Sequence, residues 1–399
     1  MDLEKKAFST RAVHAGERVK PGNYIPVATP IVPSVGYLYE SMDELDAVFG
    51  NQQPGYVYSR YTSPTVAAFE NAMANLENGE AAIAFASGMA AIQAALLAAG
   101  VKTGASVVSA FDVYGATYSL LVRFFAEMGV KTKLVDAADP AAIEAALREL
   151  KPVALLVETI SNPLLKVADI PAMAKLAHRY GAQLLVDNTF ATPYLFQPLQ
   201  HGADYVIHSA TKYLAGHGDV LAGLVVTSAT NRARMFETNK MLGSNLGPFE
   251  AWLALRGLKT LPLRMHQQCS NAAHLAGWLA SRPEIEHVNY PGLASHPQNK
   301  LAEHLFNGLG GGMLSFEIHD ATRARVFRFM EALQLCLPVT TLGDIYTLVL
   351  HPATSSHRSL SEAERKQVGI NEGLIRLSAG IEDPADLQAD LEQALQALK

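Results

Sequence analysis

Short apolar runs alternate with helix-like segments through the middle of the chain, and this alternation restricts the possible folds more than any other feature. Apolar residues recur at helical spacing in 140–151 and in 170–181, and the second segment closes with a glycine. The strand candidates are the runs at 106–111, 132–136, 153–159, 183–189, 205–209 and 221–227. Strands and helices that alternate form βαβ units, so the sequence predicts an α/β fold with a mostly parallel sheet.

The pattern changes near residue 250, where a long helical stretch extends over 250–281. A few strand-like segments and a closing helix at 384–399 follow, and together they predict a second, smaller α+β domain at the C-terminus. The first sixty residues are rich in Pro, Gly and Tyr and show little periodicity, which predicts an extended arm. The predicted division is an N-terminal arm over 1–62, a large domain over 63–256 and a small C-terminal domain over 257–399.

The composition excludes several functional classes. The 399 residues carry a net charge of −6 without a basic cluster, which disfavours nucleic acid as a partner. The most apolar stretch, 81–100, is rich in alanine and interrupted by Ser87 and Gly88, so it predicts core packing rather than a membrane span. Cys269 and Cys336 lie far apart without metal-ligand spacing. They predict buried free thiols and a cytoplasmic protein.

A lysine follows the strand-like run that ends at Ser209, within the segment SATKYLAGHGD over 209–219. Gly216 and Gly218 oppose a continuous helix there. Lys212 therefore lies just past a strand end, where open α/β sheets bind their ligands. A surface lysine and a buried, working amine both fit this position, and three kinds of chemistry could use such an amine.

Two of these three chemistries match the sequence poorly. Serine acyl transfer uses an S-x-x-K motif, which is present at Ser209–Lys212. That motif should come before a K-T-G, but here the K-T-G lies earlier in the chain, at 102–104, and no S-D-N lies between the two. A metal site would have to combine histidines and aspartates that lack the usual ligand spacing. These are His201, Asp204, His208, His217 and Asp219. The sequence therefore predicts no metal.

The third possibility is that Lys212 forms a Schiff base with pyridoxal 5′-phosphate (PLP), and other residues meet the requirements of this cofactor. The pyridine nitrogen needs an anion beside it, and Asp187 closes a predicted strand. The phosphate needs N–H donors, which a helix that begins at 87–91 directly after a strand provides. Tyr114 offers a ring that can stack on PLP, and Arg376 is suited to hold a substrate carboxylate in a bidentate manner.

Characteristic segments extend over nearly the whole chain. They include YSRYTSPT (58–65), FASGMAAI (85–92), DVYGATY (112–118), ETISNP (158–163), VDNTFATP (186–193), HSATKYLAGHGDVLAG (208–223) and IRLSAGIED (375–383). In these segments the chain resembles the Cys/Met-metabolism family of PLP-dependent enzymes, which has the fold-type I aminotransferase architecture. This family includes cystathionine γ-synthase, cystathionine and methionine γ-lyases and O-acylhomoserine sulfhydrylases. The resemblance implies PLP as cofactor and a homotetramer in which two subunits build each site.

The resemblance also implies a role for each matching position. Lys212 carries PLP and moves protons, and Tyr114 stacks on the ring and acts as a second acid or base. Further cofactor contacts are implied for Gly88, Met89, Asn162, Asp187, Thr189, Ser209 and Thr211, and, from the neighbouring subunit, for Tyr58 and Arg60. Arg376, helped by Thr341, holds the substrate carboxylate.

The residues that separate the members of this family match no subtype cleanly. Ser119 and Thr340 stand where cystathionine-specific relatives carry an arginine and a glutamate, and Ala116 stands where methionine γ-lyases carry a cysteine. Asn239 and Lys240 replace the lysine–aspartate pair of those lyases. We expect γ-elimination on methionine, homocysteine and, as a further substrate, cystathionine, with 2-oxobutanoate, ammonia and a thiol as products. The alternatives are γ-replacement on an O-acylhomoserine and, in a different class, a non-catalytic scaffold.

Overall fold

The alternating segments form a sheet whose strands are mostly parallel. A computed structural model describes residues 3–20, 22–358, 361–367 and 369–398. In these residues the larger sheet has seven strands, in the spatial order β1-β7-β6-β5-β4-β2-β3. The strands are β1 (Ala81–Phe85), β2 (Ser106–Ala110), β3 (Lys131–Val135), β4 (Ala154–Glu158), β5 (Gln183–Asp187), β6 (Tyr205–Ser209) and β7 (Gly223–Thr227). Neighbours from β6 to β3 are parallel, and β7 is antiparallel to β6 and β1, which confirms the predicted α/β class.

Several helices begin at residues that cap them. Ser87, Asp139 and Asp169 each accept a hydrogen bond from a backbone N–H in the first turn of the following helix, as N-cap residues do. The helices are α1 (Phe8–His14), α2 (Met42–Phe49), α3 (Pro64–Leu76), α4 (Gly88–Ala98), α5 (Gly115–Ser119), α6 (Pro140–Leu150), α7 (Ile170–Arg179), α8 (Thr192–Leu195), α9 (Ala229–Leu242), α10 (Pro248–Leu258), α11 (Leu261–Ala280), α12 (Asn299–Leu305), α13 (Arg323–Ala332), α14 (Glu362–Gln367) and α15 (Pro384–Gln396). A π-helical turn over Leu120–Phe125 continues α5.

The larger sheet is covered by helices on both faces, which explains why its strands are apolar without interruption. In β4, Leu155 and Val157 belong to one apolar cluster with α3, α6 and α7, whereas Ala154 and Leu156 belong to the opposite cluster with α4 and α9. The alanine-rich stretch 81–100 forms β1 and α4, so its predicted core packing is confirmed. None of the helices in the described residues combines the length and apolar character needed to cross a bilayer.

A second sheet lies in the C-terminal part of the chain. In the described residues it has five strands in the order β10-β11-β12-β9-β8. They are β8 (Ile285–Asn289), β9 (Met313–Ile318), β10 (Leu337–Pro338), β11 (Leu348–Leu350) and β12 (Leu374–Ser378). Residues of α11, α13 and α15 pack on this sheet in a separate apolar cluster. The predicted smaller α+β unit is thus present, whereas the domain boundaries at residues 62 and 256 stay predictions. Cys269 and Cys336 are buried free thiols, as expected.

Two predictions for secondary structure were wrong. The N-terminal arm is not extended throughout, because α1 and α2 form within it. The helix predicted over 250–281 is divided into α10 and α11, with Lys259 and Thr260 between them. Pro262 explains the break, since it occupies the first turn of α11, where proline is tolerated, but would remove a hydrogen bond from the interior of one continuous helix.

Candidate active site

A cavity of about 430 Å³ lies where β4, β5 and β6 end, and their last residues contribute to its wall. This volume falls within the range of about 300–1,000 Å³ that is typical of small-molecule sites. Most of the predicted site residues line this cavity, namely Gly88, Met89, Tyr114, Asn162, Asp187, Thr189, Ser209, Thr211, Lys212 and Arg376. The topology explains why, because the carboxyl ends of parallel strands meet at one edge of a sheet.

Lys212 follows β6 in a turn, and its side chain lies inside the cavity. Its Nζ donates a hydrogen bond to Thr341 Oγ1 at 2.9 Å, so Thr341 contacts the predicted base. Burial lowers the pKa of Lys212, and the positive charge of Arg376 lowers it further, while Asp344 acts in the opposite direction. A lysine with a lowered pKa provides more of the neutral amine that a general base requires.

The backbone after Lys212 is held by a buried arginine that the sequence analysis missed. The guanidinium of Arg264 donates to the carbonyl oxygens of Tyr213 at 2.7 Å, Leu214 at 3.2 Å and Gly257 at 2.8 Å. Its Nε donates to Thr260 Oγ1 at 3.1 Å. Arg264 is only 4% exposed, and burial lowers its pKa to about 10. These contacts tie the turn that carries Lys212 to the end of α10.

The start of α4 forms one end of the cavity. Ser87 caps this helix by accepting a hydrogen bond from the Ala90 N–H at 3.2 Å. Two glycines allow the chain to pack closely here: a β-carbon at Gly223 would lie 2.0 Å from the Ser87 carbonyl oxygen, and one at Gly88 would lie 2.8 Å from Ser209 Cβ. The positive end of the helix dipole and the Ser209 hydroxyl therefore lie together, which is the environment that an anion prefers.

Two carboxyl groups end adjacent strands on the same wall of the cavity. Asp187 is the register partner of Glu158 across β5 and β4, and its Oδ1 accepts a hydrogen bond from the Thr189 N–H at 3.0 Å. Burial raises the pKa of Asp187. Burial, and after it the neighbouring Asp187 carboxylate, raises the pKa of Glu158 well above its ordinary value. Glu158 begins the segment ETISNP (158–163), but the sequence predicts no role for it.

Arg376 projects from β12 of the second sheet and is 3% exposed. Its Nη1 donates to Asn162 Oδ1 at 3.2 Å, and its Nη2 donates to the Thr341 carbonyl oxygen at 2.9 Å. Its Nε is buried and has no hydrogen-bond partner among the described residues. A buried cation that faces a cavity with an unused donor is suited to receive a carboxylate.

Tyr58 and Arg60 do not reach the cavity formed by the described part of this chain. The Arg60 guanidinium lies 5.3 Å from the ring centroid of Tyr58 and 5.2 Å from that of Tyr61, and it donates a hydrogen bond to the Lys240 carbonyl oxygen. Their implied role in a neighbouring subunit stays a prediction.

The structure argues against the other two chemistries for Lys212. The K-T-G at 102–104 precedes β2, so it lies at the amino end of the sheet, whereas Ser209 lies at the carboxyl end of β6. The side chain of His208 does not line the cavity of Lys212 either, because its Nε2 lies 2.6 Å from Glu77 Oε1 in the core. Among the described residues, no cluster of three or more histidines, cysteines or acidic residues is arranged to bind a metal ion.

The cavity offers a matching group for each reactive part of PLP. The Lys212 amine suits its aldehyde and Asp187 suits its pyridine nitrogen, while the start of α4 with the hydroxyls of Ser209 and Thr211 suits its phosphate. Tyr114 lines the same cavity and is 44% exposed, which leaves its ring available for stacking. The residues present therefore fit this cofactor.

Comparison with known sequences agrees with this chemistry. A sequence model of the Cys/Met metabolism PLP-dependent enzyme family matches residues 9–396. L-methionine gamma-lyase from Pseudomonas putida is 44% identical over 394 residues, which cover 98% of this chain and 97% of the relative. O-succinylhomoserine sulfhydrylase from Pseudomonas aeruginosa is 42% identical over 397 residues, which cover 100% of this chain and 97% of the relative.

A solved structure matches the fold as well. A protein from Campylobacter jejuni, assigned as an O-acetylhomoserine (thiol)-lyase, has a TM-score of 0.93 and 32% sequence identity, and the match covers 98% of this chain and 100% of that one. That structure contains a pyridoxyl-lysine monophosphate. Because the family match extends over nearly the whole chain and includes every element that lines the cavity, this chain belongs to the Cys/Met metabolism family of PLP-dependent enzymes.

Proposed function

We propose that this enzyme is a carbon–sulfur lyase that performs γ-elimination on small sulfur amino acids such as L-methionine and L-homocysteine. The observation that carries this proposal is the distribution of charge in the cavity. Among the described lining residues, the acidic and basic side chains are Glu158, Asp187, Lys212 and Arg376. The first three belong to the cofactor side, which leaves Arg376 for the carboxylate of the substrate.

The remaining described residues of the lining carry no charged side chain. They include Leu221, Thr340, Leu342, Ser355 and Ser356. A thiol or methylthio group fits such a surface, whereas the amino-acid end of cystathionine would lose water there without gaining a charged partner. Cystathionine is therefore the weaker substrate in this proposal.

Bound PLP would supply an electron sink for the electrons left at Cα when a proton is removed. Lys212 takes the proton from Cα, would give it up to the bound cofactor, and so regains the neutral amine that takes a proton from Cβ as the bond between Cγ and sulfur breaks. Tyr114 protonates the departing sulfur, and Arg376 orients the substrate through its carboxylate. Asp187 pairs with the pyridine nitrogen. Water then releases 2-oxobutanoate and ammonia, so that methionine and water give 2-oxobutanoate, ammonia and methanethiol.

We also propose a homotetramer, a dimer of active dimers, in which Tyr58 and Arg60 of one subunit reach the phosphate of the next. The N-terminal arm supports this, since it exposes large apolar side chains such as Leu38, which is 99% exposed, and Val27, which is 80% exposed. Surfaces of this kind are usually covered by a partner. Two buried free cysteines support a cytoplasmic location.

The main alternative is γ-replacement on an O-acylhomoserine, and it is favoured by the 42% identity to an O-succinylhomoserine sulfhydrylase. One experiment compares the two reactions. It measures 2-oxobutanoate from methionine, homocysteine and cystathionine, and the amino-acid product from O-acetyl- and O-succinylhomoserine with a thiol, with Lys212→Ala as the background control. We expect elimination from methionine or homocysteine to be faster. Replacement that exceeds elimination by more than about tenfold in kcat/KM, a barrier difference of about 1.4 kcal/mol, would overturn the proposal.

A further inference from the structure

Glu158 lies in the wall of the cavity and has no part in the reaction described above. It is the last residue of β4, directly beside Asp187 in β5. Its Oε1 accepts a hydrogen bond from the backbone N–H of Tyr114 at 2.6 Å. One side chain thus connects the segment after β2 with the end of β4.

The segment that carries Tyr114 is also confined from the opposite side. A β-carbon at Gly115 would lie 2.7 Å from the carbonyl oxygen of Ser356, so the backbone packs directly against the segment that follows β11. The ring of Tyr114 nevertheless remains 44% exposed. The backbone at this position is therefore fixed on two sides while the ring is free to contact what enters the cavity.

The surroundings of Glu158 favour its neutral form. Burial raises its pKa, and the carboxylates of Asp187 and Asp112 raise it further. The titratable and charged groups that face Glu158 and Asp187 from the packed elements are Asp112 and Lys166 on the segments after β2 and β4, His208 on β6, and Lys212 and Arg376 facing the cavity. A neutral acid and a glutamine have the same shape and both keep an acceptor oxygen, so glutamine is a matched replacement.

We propose that Glu158 is a positioning residue, whose carboxyl oxygen fixes the backbone of Tyr114 and thereby sets the place of the Tyr114 ring over the cofactor. The inference rests on the proposed function only for the chemical role of Tyr114. The geometric role requires an acceptor oxygen at a given distance and does not require a negative charge. The geometric role therefore predicts different outcomes for the replacement of Glu158 by Gln, Asp and Ala, whereas a general structural role would not.

The test uses the purified, PLP-loaded enzyme and measures the rate at which PLP is lost on dilution into a cofactor trap, followed by its absorbance. Glu158→Gln is expected to lose PLP within about threefold of the wild-type rate. Glu158→Ala leaves the backbone N–H of Tyr114 without an acceptor, and Glu158→Asp withdraws the oxygen by one carbon; both are expected to lose PLP about tenfold faster or more. The melting temperatures of the three apoenzymes serve as the control for folding.

A second measurement isolates the part of the effect that acts through Tyr114. In a Tyr114→Ala background, the Glu158→Ala substitution is expected to accelerate PLP loss by less than threefold, because this background already lacks the Tyr114 ring that the loss of Glu158 would displace. The inference is overturned if Glu158→Asp retains PLP as the wild type does, or if Glu158→Gln loses it as fast as Glu158→Ala. PLP loss is measured without substrate, so these results stand even if the lyase proposal fails.

Discussion

Replacement of Arg376 offers a direct measure of how the cavity recognises its substrate. The guanidinium is 3% exposed, and its Nε is buried without a partner among the described residues. A substrate carboxylate would accept two charge-assisted hydrogen bonds from such a fork. Each is worth about 1.5–3 kcal/mol, so their joint loss in Arg376→Ala corresponds to about 3–6 kcal/mol. Since about 1.4 kcal/mol equals tenfold, kcat/KM is expected to fall by about 10²–10⁴.

The Arg376→Lys variant separates charge from geometry. Lysine keeps the positive charge but has no planar fork, so one of the two hydrogen bonds is lost. The expected decrease in kcat/KM is about tenfold to a hundredfold, mostly through KM. Initial rates of 2-oxobutanoate release over a range of methionine concentrations measure both parameters.

Two controls accompany these variants. PLP content must stay at the wild-type level, because Arg376 also donates to Asn162 Oδ1 and the Thr341 carbonyl oxygen, which its removal leaves without a donor. Methionine amide, which lacks the carboxylate, should inhibit the wild type and the Arg376→Lys variant equally weakly. If KM for methionine in Arg376→Lys stays within threefold of the wild-type value, the carboxylate does not bind where this reasoning places it.

Two further predictions concern the cofactor and the assembly. Asp187→Asn removes the partner of the pyridine nitrogen, and we expect turnover to fall by orders of magnitude, since several kcal/mol of stabilisation would be lost; an effect under about tenfold in kcat would mean that Asp187 is not this partner. Arg60→Ala and Lys212→Ala chains should each be inactive or weak alone but regain activity when mixed, because a hybrid dimer contains one intact site. The absence of complementation after verified subunit exchange would contradict the shared site.

The local patterns of the sequence predicted most of the larger sheet. Each predicted strand from 106–111 to 221–227 overlaps a strand whose ends differ by at most two residues. These segments are short apolar runs with helical patterns or turns between them, so local sequence suffices to locate them. Local sequence does not predict that β7 lies between β1 and β6 in the sheet. That position depends on a close approach of Gly223 to the Ser87 carbonyl oxygen, which involves residues far apart in the chain.

The site could be predicted where residues close a recognisable strand or belong to a characteristic motif. Asp187 and Lys212 met this condition. Glu158 met it as well, because it lies near the end of the run 153–159 just as Asp187 lies near the end of 183–189, and the parallel register places the two side by side. Arg264 gave no such signal, since its partners are carbonyl oxygens, which every residue possesses. Its role follows only from the fold.

The four hydrogen bonds of Arg264 have a mechanical consequence for Lys212. Moving the turn would remove the carbonyl oxygens of Tyr213 and Leu214 from a buried guanidinium, and a buried charge that loses acceptors is costly. The backbone of Lys212 is therefore held in place, and its amine moves between proton donors and acceptors by rotation about the bonds of the side chain. Proton delivery along one face of a substrate can thus proceed on a stationary backbone.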